Sequence, residues 1–178
     1  MGAAIYPEHP VLLVDDEQQF LFSAETALTT NGINNIVIQN DSRKVLEMMD
    51  RTEYSLVVLD INMPEISGIE LLPMIVEKHP NIPIIILTAV NDVESAVQCI
   101  KAGAFNYLLK PVDGTRLVTT IRGGLNLREI RNENRRLKDY LLKDKLENPE
   151  AFSEIITKSN SMRAIFKYIE AIAKSPLP

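Results

Sequence analysis

The stretch VVLDINMPEISG, residues 57 to 68, decides how this chain is read. Val57, Val58 and Leu59 form an apolar, largely β-branched run of the kind found inside a buried strand. The run ends on Asp60, and a loop carrying Asn62, Pro64, Glu65 and Gly68 follows at once. Burying a charged carboxylate is costly unless something compensates it. Asp is common at helix caps and Asx turns, so a purely local role is open to this residue. What stands beside it in the fold decides between that role and a reactive one.

Four more short apolar runs flank this one: PVLLVD (10–15), NIVIQ (35–39), PIIILT (83–88) and AFNYLLK (104–110). Their continuous apolar character, without in–out alternation, predicts parallel strands covered on both faces. Amphipathic stretches at about 17–30, 42–52, 66–79 and 92–102 read as the intervening helices. Asp41 or Ser42 can cap the second and Asn91 or Asp92 the fourth, and Gly32 and Gly103 stand where the first and fourth should stop. Five β-α repeats predict an α/β fold, an open parallel sheet with right-handed crossovers. Such a doubly wound sheet binds ligands beyond the carboxyl ends of its strands. At that edge the first strand delivers Asp15 and Asp16, the third Asp60, the fourth Thr88 and the fifth Lys110 followed by Pro111.

Taken singly, these residues have ordinary roles. Asp15 and Asp16 can cap the first helix, Thr88 can end a strand, and Lys110 can be a solvated strand end. Their joint placement at the tips of four strands points to chemistry. Two unit charges about 4 Å apart repel by roughly 4 kcal/mol at an effective dielectric of 20, so clustered carboxylates call for a cation. Oxygen ligands without nearby His or Cys suit Mg²⁺, which also neutralises an incoming phosphoryl group. Asp60 can then act as a carboxylate nucleophile, with Lys110 and Thr88 contacting phosphoryl oxygens.

The whole chain agrees with a globular domain plus an appendage. It has 178 residues, 46% hydrophobic and 24% charged, with a net charge of -5, which argues against a nucleic-acid binder along its whole length. The single cysteine, Cys99, excludes an internal disulfide and reads as a small core residue. The start, MGAAIYPEHP, has no basic n-region or long apolar stretch and does not read as a signal peptide, Tyr6 breaks the myristoylation pattern that Gly2 begins, and no apolar run is long enough to span a bilayer. A cytoplasmic protein without membrane association is expected.

After Pro111 the composition changes. Residues 113 to 146 contain no proline and are rich in Leu, Arg, Asn, Lys and Glu. Leu127, Ile130, Asn134, Leu137 and Leu141 alternate three and four apart, an a/d seam with one polar a position, which predicts a long coiled-coil helix pairing two copies of the chain. Asn148-Pro149 ends it. A further amphipathic helix is expected over about 161–174, capped by Ser159 to Ser161. No G-x-x-x-x-G-K-[ST] run occurs in the 178 residues, so the usual nucleotide cradle is not expected here.

LLVDDE, VVLDINMPEISGIELL, IIILTA and FNYLLKPV together resemble the receiver domain of two-component response regulators. The resemblance covers residue 10 to about 125. It implies a flavodoxin-like, doubly wound five-stranded parallel sheet of order 2-1-3-4-5, in which Asp60 accepts a phosphoryl group from a phosphohistidine on a sensor histidine kinase. It further implies Mg²⁺ held by Asp16 and Asp60 directly, by Asp15 largely through water and by the main-chain carbonyl of Asn62. Thr88 and Tyr107 match the switch pair, Lys110 the phosphate-binding lysine, and Lys110-Pro111 a bond that is usually cis. The tail FSEIITKSNSMRAIFKYIEAIAKS is similar to the entry into the AAA+ ATPase of sigma-54-dependent activators of the NtrC class, with Thr157 where that family usually has glycine. The organisation expected is a receiver over 8–125, a helical linker over 126–148 and the start of an ATPase domain over 149–178. Sigma-54 RNA polymerase and DNA would be met only through domains outside these residues. Two other readings remain: a phosphatase of the haloacid-dehalogenase type, which needs a second Asp where this chain has Asn62, and a coiled-coil scaffold with an idle pocket.

Overall fold

The computed structural model describes residues 6–89, 93–142, 149–153, 155, 157 and 159–173. The chain divides into two compact units, Met1–Glu129 and Ile130–Pro178. Strands β1 (Val11–Val14), β2 (Ile36–Gln39), β3 (Leu56–Asp60), β4 (Ile84–Ala89) and β5 (Asn106–Lys110) alternate with helices α1 (Gln18–Thr30), α2 (Val45–Arg51), α3 (Gly68–Lys78), α4 (Val93–Lys101) and α5 (Gly114–Leu142); all belong to the first unit except the last part of α5, from Ile130 on. All strand pairs are parallel, and the order across the sheet is β2-β1-β3-β4-β5.

Each apolar run is divided residue by residue between the two faces of the sheet. Leu12, Val14, Val57, Leu59, Ile84 and Ile86 pack with Val45 and Met49 of α2, Leu71, Leu72 and Ile75 of α3, and Cys99 of α4. Val11, Leu13, Leu56, Val58, Ile85 and Leu87 pack with Leu21, Ala24 and Leu28 of α1 and with Leu117, Val118, Ile121 and Leu125 of α5. Burying a side chain of this size contributes about 1.5–3 kcal/mol, so both covers of the sheet are needed. That is the physical reason the runs show no alternation.

Helix ends follow local chemistry. Asp41 caps a short 3-10 turn, Ser42–Lys44, which leads into α2 and so delays its start. Gly32 and Gly103 have φ of +83° and +106°, the left-handed geometry that stops a helix. The expected caps of α4, Asn91 and Asp92, lie outside the described residues. Neither Asp15 nor Asp16 caps α1; its N-cap is Glu17. Two adjacent glycines, Gly123 and Gly124, interrupt the middle of α5. A Cβ on Gly124 would lie 2.4 Å from Leu56 Cδ1, whereas one on Gly123 would meet nothing closer than 3.8 Å.

In the second unit, a 3-10 turn, Pro149–Phe152, precedes α6 (Asn160–Ala173). The rings of Phe152 and Phe166 stack at 4.5 Å between centroids. Among the described residues, no helix is long and apolar enough to cross a membrane.

Candidate functional site

The site grows from the register of two strands. Val14 of β1 lies opposite Leu59 of β3, so the next residues, Asp15 and Asp60, emerge side by side at the carboxyl edge, where the strand order reverses. Asp15 is fully buried, Asp60 is 2% exposed and Asp16 is exposed. Carboxylate oxygens of the three lie within 4.8 Å of one another. Among the described residues, one cation faces them: Lys110 Nζ is 2.7 Å from Asp15 Oδ2, 3.1 Å from Asp60 Oδ1 and 3.3 Å from Glu17 Oε1. The ammonium also lies 5.2 Å from the centroid of the Phe20 ring. The main-chain N–H of Asn62 donates to Asp60 Oδ2 at 3.1 Å, and that of Glu17 donates to Asp15 Oδ1 at 2.9 Å.

Electrostatics follow from several acids sharing one ammonium. Burial raises the pKa of Asp15 against the pull of Lys110. Burial, then the charge of Asp15, raises that of Asp60. Burial pulls Lys110 down, but Asp15 and Asp60 outweigh it and its net shift is upward, so it stays an ammonium. A carboxyl group with a raised folded pKa stabilises the fold below its unfolded pKa and loses that contribution as pH rises through the folded value. Removing the Asp60 charge should therefore help most at neutral pH. Without divalent metal, Asp60→Asn is expected to melt above the parent at pH 7, with the gap closing towards pH 4. Thermal melts of both proteins with chelator check this, and a gap that widens on acidification would contradict it.

The cluster fits a hard divalent cation. It offers oxygens alone, and a small cation such as Mg²⁺ takes a few carboxylates and keeps waters for the rest.

The loop beyond Asp60 is braced. Ser67 caps α3 in a reciprocal box: its Oγ accepts from Glu70 N–H and its own N–H donates to Glu70 Oε2 at 3.0 Å. Ser42 Oγ donates to Pro64 O at 2.9 Å and accepts from Ile66 N–H at 3.2 Å, tying the loop to the segment after β2. Glu65 sits at φ 71°, a left-handed conformation unusual for a side-chain-bearing residue. Gly68 N–H donates to Ile61 O, and a Cβ on Gly68 would lie 2.1 Å from the Asp60 carbonyl oxygen.

Other expected residues are placed as follows. Thr88 is fully buried on β4, opposite Leu109. Tyr107, on β5, is half-buried against the core face shared by α3 and α4. The Lys110-Pro111 bond is cis. Along α5, Leu127 is half-buried, Ile130 is 56% exposed and Asn134 is exposed, its Nδ2 donating to Ile130 O. The side chains of Leu137 and Leu141 lie outside the described residues. A reading by strand tips passes over Glu17, Phe20, Ser42 and the Ser67–Glu70 pair. Only the last carries a local signal, the S-x-x-E spacing.

Carboxylates and an ammonium gathered at the switch point of a 2-1-3-4-5 parallel sheet are the layout of a receiver-type signalling domain. Residues 11–122 match the model of the response regulator receiver domain. Over 165 residues the chain is 32% identical to the transcriptional regulatory protein ZraR of Klebsiella oxytoca, covering 93% of this chain and 35% of that protein. It is 29% identical over 167 residues to the DNA-binding transcriptional regulator NtrC of Escherichia coli (strain K12), covering 94% of this chain and 34% of that one. Among solved structures it is similar to a CheY-like response regulator receiver domain protein from Methanospirillum hungatei JF-1 (TM-score 0.65, 28% identity, 69% of this chain and 98% of that chain). It is also similar to the receiver domain of NtrX from Brucella abortus (TM-score 0.62, 27% identity, 65% and 98%). The chain belongs to the response regulator receiver domain family. It is a phosphorylation-regulated signalling domain of the two-component type, a class of domain that binds Mg²⁺. The chain spans about a third of the length of the curated relatives it matches.

Proposed function

We propose that Asp60 is the phospho-acceptor, taking its phosphoryl group from a phosphohistidine on a sensor histidine kinase. One observation carries this reading: Asp60 is a buried strand-tip carboxylate facing the ammonium of Lys110, with Asp15 and Asp16 alongside. An Asp60 oxygen attacks phosphorus, the P–N bond breaks, and its electron pair returns to the imidazole of the donor. Asp16 and Asp60 would hold Mg²⁺ directly, Asp15 largely through water, and the Asn62 carbonyl would add a ligand. Bound there, the metal supplies charge neutralisation for the phosphoryl group. Lys110 and Thr88 engage phosphoryl oxygens, and Tyr107 moves into the space Thr88 leaves. Asn62 stands where a haloacid-dehalogenase-type phosphatase needs its second Asp, so this site lacks that acid/base. Intact-mass measurement with acetyl phosphate and Mg²⁺ tests the reading. One stably added phosphoryl group is expected, without release of phosphate from simple phosphomonoesters; turnover without labelling would overturn it.

For the longer protein, the proposal is a transcription activator of the sigma-54-dependent, NtrC class. Its receiver spans 8–125, its linker 126–148, and an AAA+ ATPase domain begins at 149–178. Contact with sigma-54 RNA polymerase and DNA falls to domains outside these residues, and the protein would work in the cytoplasm. Leu127, Ile130, Asn134, Leu137 and Leu141 would pair two chains, with Asn134 setting register. The exposure of Ile130 and Asn134 supports this. The receiver would hold the ATPase in an inactive dimer until phosphorylation repacks the face of α4, β5 and α5. Sedimentation should show a dimer for the chain and monomers for a version ending before Leu127 and for Leu137→Asp. Identical monomers in all three would end the linker proposal.

A further inference from the structure

We propose that Glu17 and Phe20 form a resting seat for the Lys110 ammonium and thereby weaken the hold of the site on a phosphoryl group. This rests on the reading of Asp60 as phospho-acceptor and adds two positioning residues to it.

Three observations converge. Glu17 is the N-cap of α1, yet its side chain makes no hydrogen bond to its own helix. The carboxylate instead meets Lys110 Nζ at 3.3 Å, across 93 residues of sequence. Phe20, one turn on, is partly buried against the core under α1 and α5, which holds its ring in place. The ammonium lies 5.2 Å from that ring's centroid, within the range of a cation–π contact. Lys110 is only 18% exposed by side chain, so these contacts restrict an already confined group.

The consequence is a competition. To bind a phosphoryl oxygen on Asp60, the ammonium must turn away from Glu17 and from the ring. Glu17, whose side chain is 65% exposed, also repels the arriving dianion. Both residues therefore favour the resting state over the phosphorylated one. Neither contributes an atom to the transfer: they act through where Lys110 rests.

The test uses the whole chain with saturating Mg²⁺ and beryllofluoride as the phosphoryl mimic. Glu17→Gln and Phe20→Leu should each lower the beryllofluoride dissociation constant by about 2- to 5-fold, the range that exposed ion pairs and cation–π contacts command. Phe20→Tyr, which keeps the ring face, should retain the parent value. Proton NMR provides a signature that packing alone would not produce. The methylene protons beside the Lys110 ammonium should be shifted upfield by the ring in the parent and in Phe20→Tyr, and return to ordinary positions in Phe20→Leu. Normal binding by the parent, with unchanged dissociation constants in Glu17→Gln and Phe20→Leu, overturns the seat alone. Failure of the parent to bind the mimic overturns the reading of Asp60 instead.

Discussion

Asp60→Asn is expected to abolish phosphoryl labelling by acetyl phosphate, and chelation of Mg²⁺ is expected to do the same to the parent. The amide keeps the shape of the side chain but has no anionic oxygen to attack phosphorus. The neighbouring carboxylates are expected to stay unlabelled. Asp15 is fully buried and engaged through both oxygens, one by Lys110 and one by the Glu17 N–H. Asp16 is exposed, and Lys110 directs its ammonium at Asp15, Glu17 and Asp60. Intact mass and peptide mapping check the outcome. Equal labelling of the variant would show that another residue is the acceptor.

Gly68→Ala should cost more stability than its single methyl suggests. The added Cβ would fall 2.1 Å from the carbonyl oxygen of Asp60, which is backbone and cannot rotate aside. Helix α3 would have to back away from β3, breaking the Gly68 N–H to Ile61 O bond and loosening the capping box one residue upstream. Overpacking typically costs about 1–3 kcal/mol, and a contact with rigid backbone falls at the upper end, a sizeable part of the roughly 5–15 kcal/mol that holds an ordinary domain together. Denaturant titration should show the lowered midpoint, and labelling of Asp60 should slow, because the loop that orients it has moved. A stability within about 0.5 kcal/mol of the parent would mean that the close approach is relieved at little cost.

Much of this was legible in the residues because parallel strands covered on both faces write themselves as unbroken apolar runs. PVLLVD, the run ending VVLD (57–60) and PIIILT give three central strands and, through their last residues, Asp15, Asp60 and Thr88. The resemblance to receivers then supplied the strand order. Contacts made across the chain were illegible. Glu17 meets Lys110 because the start of α1 and the end of β5 converge after folding, and no spacing within either segment encodes that. Ser42 reaches Pro64 and Ile66 for the same reason. The α2 boundary shifted because Asp41 caps a 3-10 turn before the helix proper, a choice between two local geometries that propensity does not separate. Arg128 shows the limit on the helical side. The a/d pattern assigns Leu127 to a seam, while its neighbour Arg128 is buried and paired with Glu53.

The paired glycines of α5 bear on how the domain comes apart. Each costs a helix interior about 1 kcal/mol relative to alanine, and isolated helices are marginal even with good formers. The Gly123–Gly124 segment therefore holds its shape through Ile121 and Leu125, which pack against the sheet, rather than through any intrinsic tendency of its own. Helix and sheet then belong to one cooperative unit, with no sub-global opening in which this stretch of α5 survives alone. Amide protons on either side of the glycine pair should therefore be no better protected from exchange than those of the strands beneath them.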